Sequence, residues 1–146
     1  MAIAFVLGAC ATSTQTPSPS STPFVAPSLP AELAASPLVL HPWSEEGHGA
    51  ALPGRLVLED GCLFVVGEES GERWVPSWPY PGTGWNGSAV VSGGEVIPIG
   101  ELAVFGGGEG DLSRANADRF DWVNAPDPAC LTTGKAWFVY AGSDPP

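Results

Sequence analysis

The sequence predicts a small, mainly β domain, a closed or partly open barrel with a β-sandwich as the alternative, and three observations carry that expectation. The 19 glycines and 16 prolines among 146 residues interrupt long helices and favour short strands joined by turns. Short apolar runs bounded by turn residues recur from Arg55 to Tyr140, the pattern of strands rather than of helix faces. Two of the gaps are the dipeptides Asp60-Gly61 and Gly93-Gly94, which suit a type I′ turn because both central residues need positive φ.

Taken in order, Leu56 to Leu58 and Cys62 to Val66 flank Asp60-Gly61 and form the first hairpin. Trp74-Val75 starts a third strand. Ala89 to Val91 and Val96 to Ile99 flank Gly93-Gly94 as a second hairpin, and Pro98, which lacks an N–H, places its strand at an edge or a bulge. Leu102 to Phe105 follows, the glycines of Gly107-Gly108-Glu109-Gly110-Asp111 form a wide turn after Phe105, and Ala136 to Tyr140 is the last strand. Six or seven short, closely connected strands point to an OB-like or SH3-like barrel. Helix is confined to a turn or two within Asp111 to Phe120, with Leu112, Ala115 and Phe120 as a sparse apolar face, and to one turn within Pro30 to Ser36 with no evident core to bury it.

Sixteen acidic and five basic residues give a formal net charge of -11. That charge repels phosphate backbones and anionic headgroups, which excludes nucleic acid as a partner and leaves cations, neutral sugars and proteins. The length suits one modest domain.

Residues 1–9 form an apolar run without charge, too short for a bilayer span of about 20 residues but suited to a secretory signal. The run ends in Leu7-Gly8-Ala9-Cys10, which resembles the lipobox of bacterial lipoproteins. The resemblance covers only these first residues. It implies cleavage before Cys10, diacylglyceryl attachment to the Cys10 thiol, and a lipid anchor on the extracytoplasmic face of the cell membrane. No Lys or Arg precedes the run, where such signals carry a cationic segment, and this points to a start further upstream. Residues 11–30 hold five Ser, four Thr and five Pro and no charge, a composition that cannot offset its ordering entropy. The expected organisation is therefore a signal over 1–9, a lipidated Cys10 with a flexible linker over 10–37, and a single β domain over 38–146. A linker of that length reaches about 30 Å as a coil and about 85 Å fully extended. With Cys10 lipidated, an oxidising address makes a disulfide between Cys62 and Cys130 the natural pairing of the other two cysteines.

Most motif matches fail on context. Gly82-Thr83-Gly84-Trp85-Asn86-Gly87 matches a dinucleotide fingerprint as a string, but no helix pattern follows it. Glu109, Asp111, Asp118 and Asp121 offer oxygen ligands for a weak Ca²⁺ site, and His41, Glu45, Glu46 and His48 offer zinc-type ligands. Solvated carboxylates and surface-loop residues are the plainer readings, so no metal and no cofactor is expected. No Gly-x-Ser-x-Gly elbow is present. Carboxylate pairs such as Glu68 with Glu72 or Glu59 with Glu101 keep open a second function class, a cell-envelope hydrolase.

The feature above background is the segment Arg73 to Trp85, which holds Trp74, Trp78, Tyr80 and Trp85. Prolines hold it extended, and a period of two sets Trp74, Trp78 and Tyr80 on one face. Those four rings are the candidate ligand-binding residues, either as a platform for a cell-wall glycan, peptide or envelope protein or as rings that plug one end of the barrel. The expected function is a membrane-anchored binding or scaffolding module, with no catalytic residue assigned.

Overall fold

The computed structural model of the chain describes residues 28–44, 47 and 49–140. Cys10, the signal, the Ser/Thr/Pro tract through residue 27, and Glu45, Glu46 and His48 lie outside the described residues.

Five strands close a barrel. They are β2 (Ala50–Glu59), β3 (Cys62–Gly67), β4 (Arg73–Tyr80), β8 (Leu102–Asp111) and β9 (Lys135–Val139). Each of β2, β3, β4 and β9 bonds to the next, β9 bonds to β8, and β8 returns to β2. Around the ring the strands run first, second, third, fifth, fourth, and the third and fifth are parallel while the other pairs are antiparallel. That order is OB-like rather than SH3-like, and ring closure removes the sandwich alternative. Outside the ring, β1 (Val39–Pro42) runs parallel to the far half of β4. The strands β5 (Thr83–Trp85), β6 (Ala89–Ser92) and β7 (Glu95–Pro98) form a separate three-stranded sheet.

Local chemistry fixes both hairpins. Asp60 and Gly61 have φ of 51° and 80°, and Gly93 and Gly94 have 57° and 81°, so each pair makes the tight turn that its sequence requires. Pro98 lies on β7, an edge of the small sheet. The prolines of β4 also sit where an edge lacks a partner. β3 leaves after Trp74 and β1 begins at Ser77, which frees Pro76 on that side, and β9 pairing ends at Ser77, which frees Pro79 on the other.

The period of two separates two apolar clusters. Leu63 and Val65 of β3, Trp74 and Trp78 of β4 and Trp137 and Val139 of β9 share the barrel interior with Leu56 and Phe105. Their sequence neighbours Cys62, Phe64, Val75 and Ala136 form a second cluster on the outer wall with Leu112, Ala117, Cys130 and Leu131. The cover on that wall is the segment between β8 and β9, which carries α2 (Arg114–Ala117) and a 3-10 turn over Pro128–Cys130. The small sheet packs Val90, Trp85 and Ile97 against the interior cluster.

Several segments depart from expectation, β1 among them. The glycine run after Phe105 is the second half of β8 and not a wide turn, paired with β9 from Gly107↔Val139 to Asp111↔Lys135. Its glycines make room for β9, because a Cβ on Gly107 would meet the Phe138 carbonyl and one on Gly110 the Phe138 ring. Residues Ala50 to Gly54 extend β2 ahead of Arg55 by pairing with β8, and Gly54 is needed there because a Cβ would lie 2.6 Å from the Val66 carbonyl oxygen. The turn within Pro30 to Ser36 forms as α1 (Ala31–Ala34), and it does find a core. Leu29 and Leu33 pack against the interior cluster, and Ser36 donates to the Leu33 carbonyl at 2.7 Å.

Candidate functional site

The four rings singled out in the sequence do not form an exposed face. Trp78 is 0% exposed and Trp74 5%, and Tyr80 and Trp85 are half-buried against the interior cluster. The alternation along β4 holds, but Trp74 and Trp78 point into the barrel, where Trp78 meets Phe105 edge-on at 6.1 Å and Trp74 meets Trp137 at 6.4 Å. Of the two readings of these rings, Trp74 and Trp78 take the interior one rather than the platform, since a sequence period identifies a common face without saying which side of the wall it occupies.

A second group of half-buried rings stands on the outer wall. Trp122 and Phe138 lie nearly parallel, 8° apart with centroids at 6.3 Å, and Phe120 sits 5.2 Å from each. All three are half-buried. Phe138 comes from β9, whereas Phe120 and Trp122 come from the segment after α2. The Trp122 indole N–H donates to the Ala117 carbonyl at 2.7 Å, which fixes the ring and leaves its accessible surface apolar. Beside it a shallow pocket of about 240 Å³ is lined by Trp122, Ala117, Asp118, Pro126, Pro128 and Leu131. The disulfide Cys62–Cys130, with Cα atoms 5.4 Å apart and a sequence separation of 68, ties this loop to the start of β3. Asn124 adds a second tie by donating to the Leu38 carbonyl at 2.7 Å.

A second concavity of about 300 Å³ opens between the β6–β7 hairpin and the end of the barrel, lined by Trp78, Phe105, Ile97, Glu95, Val104 and Tyr140 among others. Trp78 thus touches an opening even though it exposes no surface of its own. Its indole N–H has no hydrogen-bond partner.

Several of the groups considered for other chemistry are engaged in structural contacts. Glu59 accepts from Arg73 at 2.6 Å and Glu72 from Lys135 at 2.8 Å, and the hydrogen bond to Glu72 raises the Lys135 pKa above its ordinary value. Glu68 and Glu101 are exposed. Asp111 accepts from the Ser113 amide at 2.8 Å and from Asn116, which holds its carboxyl below the usual range and braces the start of α2. Among the described residues no three His, Cys, Asp or Glu side chains gather as a metal site. His41 accepts or donates through Nδ1 to Ser77 Oγ at 2.8 Å and stands edge-on to Phe138 at 5.7 Å. Burial pushes its pKa down to about 4. Ser77 is 0% exposed, so this pair braces β1 against β4 and presents no nucleophile to solvent. Gly82 to Gly87 contains β5 and a turn with no helix behind it.

Sequence reasoning missed Phe120, Trp122 and Phe138. The available signal was a Phe-Asp-Trp triplet within a long inter-strand segment followed by Pro126, Pro128 and a cysteine. No protein-family model, no curated protein and no solved structure matches the chain.

Proposed function

We propose that the chain is a lipid-anchored extracytoplasmic protein whose barrel binds a neutral glycan of the cell envelope through the face built by Phe120, Trp122 and Phe138. The observation that carries this reading is a half-buried ring trio, Phe138 of β9 with Phe120 and Trp122 of a segment held by a disulfide. An apolar ring face stacks on the C–H face of a sugar, and a ring already fixed by its own hydrogen bond loses little freedom on binding. Asp118, at the edge of the pocket, is an acceptor for sugar hydroxyls. The net charge of -11 favours a neutral ligand over an anionic one. In OB-like barrels the loop between the fourth and fifth strands commonly flanks oligosaccharide sites, here the loop of Trp122, although a shared scaffold supports and does not establish a ligand.

The lipobox-like Leu7-Gly8-Ala9-Cys10 and the Ser/Thr/Pro tract support the address, and the disulfide agrees with an oxidising compartment. Two experiments test the proposal. Fractionation of the producing cell should place the wild type in membranes and Cys10→Ser in the soluble fraction, since two or three acyl chains hold far more firmly than one. Pull-down on purified cell-wall polysaccharide should retain the wild type and lose Trp122→Ala, with Trp85→Phe as the control. Equal retention of both variants refutes the glycan face.

A further inference from the structure

The cleft beside Trp78 lies against a strand edge that no described strand pairs. Gly107 pairs with Ala50 of β2 on one side and with Val139 of β9 on the other, so β2 and β9 flank β8 on opposite edges. The Gly106 carbonyl accepts from the Tyr140 amide at 2.9 Å, which places its polar groups on the β9 side. Alternate residues of an antiparallel strand direct N–H and C=O to the same side, and the register of β8 is unbroken from Leu102 to Gly107. Val104 and Leu102 therefore aim their amides and carbonyls along the same edge, beyond the point where β9 stops, where no described strand pairs with them. The cleft is lined by Val104, Phe105 and Gly106 on this side, by Ile97 and Glu95 of β7 on the other, and by Trp78.

The side chains around this edge have the same character. Val104 and Val96 are 67% and 60% exposed, the highest among the exposed large apolar residues of the described chain. Val104 lines the cleft, and Val96 lies between the lining residues Glu95 and Ile97. Glu95 is the one charged group of the lining, in a chain whose net charge is -11.

We propose that this cleft takes an extended, basic segment of a partner protein as an added strand, bonded to the free edge of β8 at Leu102 and Val104. Main-chain bonds to the edge supply affinity, and alternate side chains supply specificity. One set faces Phe105 and Ile97 in the cleft, and the other lies beside Val104. A lysine or arginine near the β7 side pairs with Glu95. The site is separate from the Trp122 face, and the inference does not depend on the glycan reading.

The test is panning of a random twelve-residue phage-displayed peptide library on the full chain, followed by direct binding of the enriched peptides as synthetic probes. The expected result is enrichment of sequences with apolar residues at alternate positions and at least one Lys or Arg. Val104→Pro should weaken these peptides tenfold or more, because it deletes the amide on the free edge while leaving the β2 ladder, which does not use that amide, intact. A fold-independent check is N-methylation of the peptide at alternate backbone nitrogens, where methylation at one parity should abolish binding and at the other parity should not. Glu95→Gln should weaken binding severalfold at low salt and little at high salt. The inference is overturned if no sequence is enriched, if enriched peptides lack alternation or positive charge, or if both methylation parities behave alike. It is equally overturned if binding appears only after residues 141–146 are deleted, which would assign the edge to the chain's own end.

Discussion

Truncation of Trp78 separates a ring that holds the barrel from a ring that serves a ligand. The side chain exposes 0% of its surface, packs edge-on with Phe105, and comes from the strand that bonds to β3, β9 and β1. Trp78→Ala removes the whole indole from a wall that cannot collapse around the gap without breaking pairings. The expected cost is about 3 to 5 kcal/mol, a large share of the stability of a domain this size. Trp78→Phe is the informative partner. It keeps most of the ring and removes an indole N–H that has no partner, and such a group carries a desolvation cost of about 1 to 3 kcal/mol. The two effects offset, and the variant should stay within about 1.5 kcal/mol of wild type. Trp122→Ala, which removes a half-buried ring and one hydrogen bond, should cost about 1 to 2 kcal/mol. Equilibrium urea unfolding with unchanged slopes reads all three. A Trp78→Ala variant within about 1 kcal/mol of wild type would refute the interior placement, and a Trp122→Ala cost equal to that of Trp78→Ala would make Trp122 a core residue and remove the glycan face.

The remaining predictions concern the clamp, the histidine and the glycine run. Closing a loop across a separation of 68 residues removes about 4 kcal/mol of denatured-state freedom in the chain-entropy model. Reductant, or Cys62→Ser with Cys130→Ser, should therefore lower the urea midpoint markedly, and an unchanged midpoint counts against the clamp. His41, held neutral with a pKa of about 4, has a folded-state value below its unfolded one, so the unfolded chain takes up the proton first. Its contribution is complete above pH 6.5, is lost as pH falls towards 4, and is constant below that. The loss is at most about 3 kcal/mol, and unfolding against pH should lose that slope in His41→Gln. Gly110→Val places a side chain where the Phe138 ring lies. Displacing the ring should cost about 1 to 3 kcal/mol and weaken retention on cell-wall polysaccharide, and a variant with unaltered Trp122 emission and retention would show that Phe138 does not position the trio.

The parts of this fold that were legible in the sequence are those decided by a few neighbouring residues. Asp60-Gly61 and Gly93-Gly94 announce their hairpins because positive φ is a local demand, and the alternation in β4 is visible because the prolines at 76 and 79 leave little other than extended chain. The disulfide was legible too, from the cysteine count together with the address expected of the lipobox-like start. What stayed hidden depends on partners far along the chain. β1 contains His41-Pro42 and is a strand only because it runs parallel to β4, a pairing with no turn signal between its members. The glycines of β8 look like loop until Phe138, some thirty residues later, is laid across them.

The interior placement of Trp74 and Trp78 follows from the same division. A run of aromatics with period two is compatible with either side of a barrel wall, and the choice is made by which side another segment covers. Here both sides of β4 are covered. The interior takes Trp74 and Trp78, and the segment of Leu112 to Leu131 buries Val75 on the outside. A strand with both faces buried spends most of its side chains on packing. On the proposals made above, recognition passes to the covering segment, which has its own solvent side, and to the edge of β8 that no described strand pairs. The first presents Phe120 and Trp122, and the second presents Val104. Neither was the aromatic cluster of greatest density in the sequence, because the densest cluster is what a small barrel with three interior tryptophans uses to fill itself.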